Sequence, residues 1–232
     1  MRLFGPIHLI LLAATAVIAA LLTLLCRRMP ASRRYVRLFV GWALIVNELI
    51  WWRFRYAREG VHVANLPLQL CDLTVWSAAL ACLTLAPVIV ELAYFAGIAG
   101  AGMALLTPDL WSPWPSYPAV YFFLAHGGIV IAAIVLVYGH ISPLRNGAMW
   151  RAYGLLLGYA CLVGAFDKIY GANYMYLCRK PHNASLLDSL GGWPWYLAAA
   201  AVVALALFAL LWIPARPRRR FAPVGRPVGL PH

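Results

Sequence analysis

Acidic side chains are scarce in this chain: seven Asp and Glu stand against 19 Lys and Arg in 232 residues, and charged residues of both signs make up only 11%. So little charge cannot clothe a compact globule in water, which excludes an ordinary soluble domain. Low-complexity segments and internal repeats beyond a succession of apolar runs are also missing. There are five cysteines, and Cys26, Cys82 and Cys161 read as small hydrophobes. What fills the chain instead is apolar: 64% of residues are hydrophobic and the mean hydropathy is +0.78. The composition is that of an integral membrane protein.

A spanning helix needs about 20 mostly apolar residues. Seven windows meet this, at about 7–26, 35–52, 66–85, 87–106, 119–138, 152–169 and 193–213, which predicts an all-α, seven-transmembrane-helix bundle over 1–213 followed by a basic, Pro-rich tail over 214–232. The first window runs into Arg27 and Arg28 without a cleavage site and is read as retained. Prolines 30, 67, 87, 113, 115, 118, 143, 181 and 194 fall at helix starts or in connections, where a missing N–H costs little. The net charge of +12 reports topology rather than nucleic-acid binding, because the basic residues sit in short loops and the tail. With the amino terminus outside, the inner side holds Arg27, Arg28, Arg33, Arg34, Arg37, Arg145, Arg151, Arg216, Arg218, Arg219, Arg220 and Arg226. The outer side holds Arg2, Arg53, Arg55, Arg58, Lys168, Arg179 and Lys180. That imbalance predicts a cytoplasmic carboxyl terminus. Gly154 and Gly158 form a GxxxG, and Gly97 with Ala101 a weaker version, both read as close packing within the bundle. Trp111, Trp114, Trp193 and Trp195 read as interfacial anchors.

Ionisable residues inside a span are costly and point to function. The third window opens LPLQLCDL, with Gln69, Cys71 and Asp72 in its first turns, and of the histidines His126 is the one read as intramembrane. Counted at 1.5 Å per residue, Cys71 and His126 lie about 8 and 10 Å below the outer ends of their helices. Asn47, Glu48 and Asp167 arrive at the same leaflet, whereas Glu91 falls toward the inner side. A thiol paired with a histidine base, with a carboxylate such as Asp72 orienting or charge-stabilising the imidazole, is the minimum set for acyl transfer through a thioester. Glu48 and Asp167 have a structural reading as well, as partners of Arg53 and Lys168. One intramembrane histidine and one thiol do not make a metal-ligand set, and no cofactor is implied.

LPLQLCDL at 66–73, AHG at 125–127 and NYMYLCRKPHNASLLDSLGGWPWYL at 173–197 resemble the YwaF-like family of bacterial membrane proteins. That family is similar to an animal transmembrane acyltransferase that makes polyunsaturated ether phospholipids. The resemblance covers about 40–213 and implies a multi-pass protein of the bacterial cytoplasmic membrane, with Cys71 and His126 at the positions of the catalytic pair. Gln69 stands where many bacterial members carry histidine. The expectation is a lipid acyltransferase or lipid hydrolase whose partners are membrane phospholipids or lysophospholipids. Gln69 and Asn47 are candidates for the oxyanion, and Arg53, Arg179 and Lys180 for the lipid phosphate. The rival readings are a small-molecule transporter or receptor and a lipid-binding protein without turnover. The lack of lysine in the seventh window argues against a retinal protein.

Overall fold

A computed structural model describes residues 2–110, 112–180 and 186–217. Trp111 and most of the tail lie outside these. The described residues form helices and no strands. The helices are α1 (Pro6–Arg28), α2 (Ser32–Glu59), α3 (Leu70–Thr84), α4 (Pro87–Leu106), α5 (Tyr117–Tyr138), α6 (Ala148–Tyr170) and α7 (Trp195–Ala215). Proline at the first or second position opens α1, α4 and α5, where its fixed φ fits the helix and its absent N–H is not missed. Gly171, at φ 70° and ψ 16°, takes the left-handed conformation that ends α6, and Gly60, at φ 72° and ψ 177°, ends α2 in an extended positive-φ conformation that favours glycine. Within α4 the ladder widens to a π-turn over Ala93–Gly97.

Six of the seven helices are long and apolar enough to cross a membrane. The expected third span is the exception. Its helix covers only 15 residues, about 22 Å, against a hydrocarbon core of about 30 Å. The shortfall arises because Gln69 is extended and caps the helix at one end, while Leu85 turns left-handed at the other. The helices α2 and α6 run longer than their windows, so Arg53, Arg55 and Arg58 ride on the last turns of α2.

Two-thirds of the apolar window of α5 is buried, against 17% for α1 and 11% for α7. The central rod is thus α5, and it packs on α1, α2, α3 and α4. Bilayer lipid offers little hydrophobic drive between helices, so close van der Waals approach has to hold them. Small residues make that approach possible. A Cβ at Gly128 would lie 2.7 Å from Leu44 of α2, and one at Gly97 would lie 2.8 Å from Ile129. The weaker small-residue motif at Gly97 therefore packs as expected. The GxxxG of Gly154 and Gly158 does not, since a Cβ on either meets nothing within 4 Å.

One end of the bundle is tied by arginines. Arg37 donates to the carbonyls of Cys82 (2.5 Å) and Leu83 (2.9 Å) at the end of α3, Arg27 to that of Tyr138 (2.6 Å) at the end of α5, and Arg33 to that of Cys26 (3.0 Å) in α1. These are among the carbonyls a helix leaves without internal partners. At the same end Glu91 is 1% exposed and accepts two bonds from each of Arg145 and Arg151, at 2.7 to 3.1 Å. A second histidine is buried in the bundle besides His126: His8, whose Nε2 meets the Leu105 carbonyl at 2.7 Å.

Candidate functional site

At the end of the bundle opposite those arginines, the chain leaves α2, turns through 60–69 and enters α3. The Gln69 N–H donates to Asp72 Oδ2 at 2.8 Å, a reciprocal capping arrangement that starts the helix. Cys71 is its second residue. The approach to Cys71 is pinned from α6 and the loop after it. The Tyr159 hydroxyl donates to the Leu68 carbonyl (3.0 Å) and the Met175 N–H to Gln69 Oε1 (2.9 Å). The Tyr174 hydroxyl donates to the Val63 carbonyl and accepts from the Leu66 N–H, both at 2.6 Å. Segments 66–73 and 173–180, far apart in sequence, therefore meet. Asn173 shapes the second of them: Oδ1 accepts from the Cys178 and Arg179 N–H groups, and Nδ2 donates to the Arg179 carbonyl.

Beneath the first turn of α3 lies a buried carboxylate. Glu48 of α2 is fully buried and accepts from Trp52 Nε1 at 2.6 Å and from the Tyr121 hydroxyl of α5 at 2.8 Å. Trp51 stacks on the Tyr121 ring at 4.2 Å with the planes 9° apart, fixing the phenol. Cys71 and Asp72 lie within electrostatic reach of both Glu48 and Tyr121. Cys71 is exposed. It stands in the first turn of α3, where the Leu70 and Cys71 N–H groups have no intrahelical partner.

His126 of α5 is 8% exposed. Its ring lies 4.2 Å from that of Phe122, and Nδ1 is 2.7 Å from the Phe122 carbonyl. A carbonyl can only accept, so the proton is on Nδ1 and the lone pair on Nε2. A backbone carbonyl, not Asp72, orients the imidazole; the Asp72 carboxylate is engaged at the α3 cap. α3 and α5 are in contact, as the shared depth of Cys71 and His126 anticipates. No hydrogen bond joins Cys71 to His126 among the described residues.

The other expected site residues scatter in role. Glu48 pairs with Trp52 and Tyr121 rather than with Arg53, which is exposed. Asn47 is half-buried, with an Nδ2 that lacks a partner among the described residues. Gln69 is occupied with the Met175 N–H. Asp167 is buried, with no hydrogen-bond partner at either oxygen among the described residues; the Tyr174 backbone lies beside it, and the nearby charge acting on it is Arg179, not Lys168. Lys180 pairs with Asp188 at 3.9 Å and sits over the Tyr196 ring at 5.5 Å. Tyr121, Trp52, Tyr159 and Tyr174 were not singled out from sequence. Only Trp52 carried a signal, being one helical turn from Glu48.

A model of the TMEM164 family matches residues 3–212, nearly the whole chain. The chain belongs to that family. It is a family of transmembrane proteins, and the match takes in all the polar residues gathered around α3. No curated protein and no solved structure matches the chain.

Proposed function

We propose that this protein is an integral membrane lipid acyltransferase, or lipid hydrolase, that works through a thioester on Cys71. The observation that carries the reading is an exposed thiol in the first turn of α3, near a buried Glu48–Tyr121 pair. The sequence resemblance drawn from 66–73, 125–127 and 173–197 supports it further.

The chemistry balances as follows. His126 Nε2 takes the Cys71 proton, directly or through water, and the thiolate adds to the ester carbonyl of a lipid. The tetrahedral oxyanion is met by first-turn N–H groups of α3. Collapse breaks the ester bond, the leaving alkoxide takes the proton from His126, and the acyl group stays on sulfur. A lysophospholipid hydroxyl, or water, then gives its proton to His126 and attacks the thioester; Cys71 leaves as thiolate and is reprotonated. Arg53 and Arg179 hold the lipid phosphate.

Intact-protein mass after incubation with phospholipid tests this. An acyl adduct is expected on the wild-type protein, absent from Cys71→Ser and retained in Cys82→Ala and Cys161→Ala. Turnover should fall about 10²–10⁴-fold in His126→Ala, the usual worth of a general base. Equal turnover by Cys71→Ser and wild type rules the thioester out and leaves the transport or binding readings.

A further inference from the structure

On the side of α5 away from α2, a groove of about 620 Å³ opens between α1, α4 and α5, within the ~300–1000 Å³ range of small-molecule sites. Along α1 it runs from Leu12 to Arg27, about 22 Å. One leaflet supplies only about 15 Å of hydrocarbon, half of the ~30 Å core, so the groove can take an acyl chain along its whole length. Its floor is smooth because Ala16, Ala20 and Gly102 line it. The walls are apolar but for Thr15, whose hydroxyl is spent on the Leu11 carbonyl, and for the end near the arginine-tied face, where Thr23 and Arg27 stand one turn apart.

Those two residues give the occupant a polarity. Arg27 is exposed, and only its Nε is engaged among the described residues, by the Tyr138 carbonyl; the terminal nitrogens of the guanidinium remain for an anion. Arg28 and Arg34 beside it are exposed as well. The Thr23 hydroxyl is buried as it stands and has no hydrogen-bond partner among the described residues. It lies one turn, about 5–6 Å along the axis, from Arg27 toward the membrane interior, so rotation about χ1 offers it to an ester carbonyl.

We propose that this groove binds one anionic glycerophospholipid from the leaflet on the Arg27 side. Its phosphate sits on Arg27, its ester at Thr23, and one acyl chain lies over Ala20, Ala16 and Gly102 toward Leu12. The site is separate from Cys71 and does not depend on any reaction there.

Native mass spectrometry of the full-length chain in detergent, titrated with phosphatidylglycerol or with phosphatidylcholine of the same chains, is the test. The wild-type protein is expected to take one phosphatidylglycerol about fivefold more tightly than phosphatidylcholine, the worth of a single well-placed basic residue at a membrane surface. Arg27→Gln should erase that preference. Gly102→Leu should weaken both lipids, and it tests the groove even if the arginine variant loses stability with its cap on α5, because a Cβ at Gly102 meets nothing within 4 Å. Equal affinity of the wild type for the two lipids, or unchanged binding in Gly102→Leu, overturns the proposal.

Discussion

Glu48 offers the sharpest test of how the bundle tolerates its buried carboxylate. Each oxygen has one neutral donor, Trp52 Nε1 at 2.6 Å and the Tyr121 hydroxyl at 2.8 Å, and no cation pairs with it among the described residues. In Glu48→Gln the amide oxygen can keep the Trp52 bond while the new NH₂ donates to Tyr121, whose hydroxyl rotates to accept. Both bonds survive without the charge, so stability should stay within about 1 kcal/mol of wild type or rise, since burying an uncompensated charge is costly. Glu48→Ala instead strands two buried donors, at about 1–3 kcal/mol each. Tyr121→Phe removes a bond worth about 1.5–3 kcal/mol when the acceptor is charged and about 0.5–1.5 when it is neutral. The double variant should therefore show a coupling of about 1 kcal/mol. At roughly 2–4 °C per kcal/mol for a chain of this size, Tyr121→Phe alone lowers the melting temperature by roughly 3–12 °C. Trp51 and Trp52 flank the pair, so thermal unfolding followed by tryptophan fluorescence in detergent reads the event directly. A Glu48→Gln variant as unstable as Glu48→Ala would refute the account, because the charge itself would then be what the site requires.

Tyr174→Phe should cost about 1–3 kcal/mol, since its hydroxyl makes two bonds to the 63–66 turn, and limited proteolysis should cut 60–69 faster; unchanged protection would show that the turn is held by packing alone. Glu91→Ala should destabilise the arginine-tied end by about 2–4 kcal/mol, less than the full penalty of a broken buried pair because Arg145 and Arg151 are 47% and 39% exposed and can turn to solvent. The melting temperature would fail to drop if those bonds were incidental. A reporter fused after His232 should work only in a cytoplasmic format, as the arginine imbalance requires; activity on the other side would invert the bundle.

The membrane class, the helical fold and six of the seven helices follow from the sequence alone, because apolar length and proline or glycine punctuation are local properties of the chain. The gathering of polar residues at one end was legible for the same reason: residue counting at a fixed rise sets depth along a helix. Depth does not set azimuth. Which way Glu48 points, that it meets Tyr121 rather than Arg53, and that Gly154 and Gly158 face open space are fixed by how helices rotate against one another, which packing decides. The shortness of α3 was likewise hidden, since hydropathy does not register that Gln69 and Asp72 close a cap. One hydrogen bond of Tyr174 and one of Met175 bring 173–180 onto 66–73, and no pattern in either segment announces the other. The sequence alone thus determined which residues form apolar helices and how far along each helix a polar residue lies. Tertiary structure alone decided which of them touch, because contacts between helices depend on rotation and close approach that no single helix encodes.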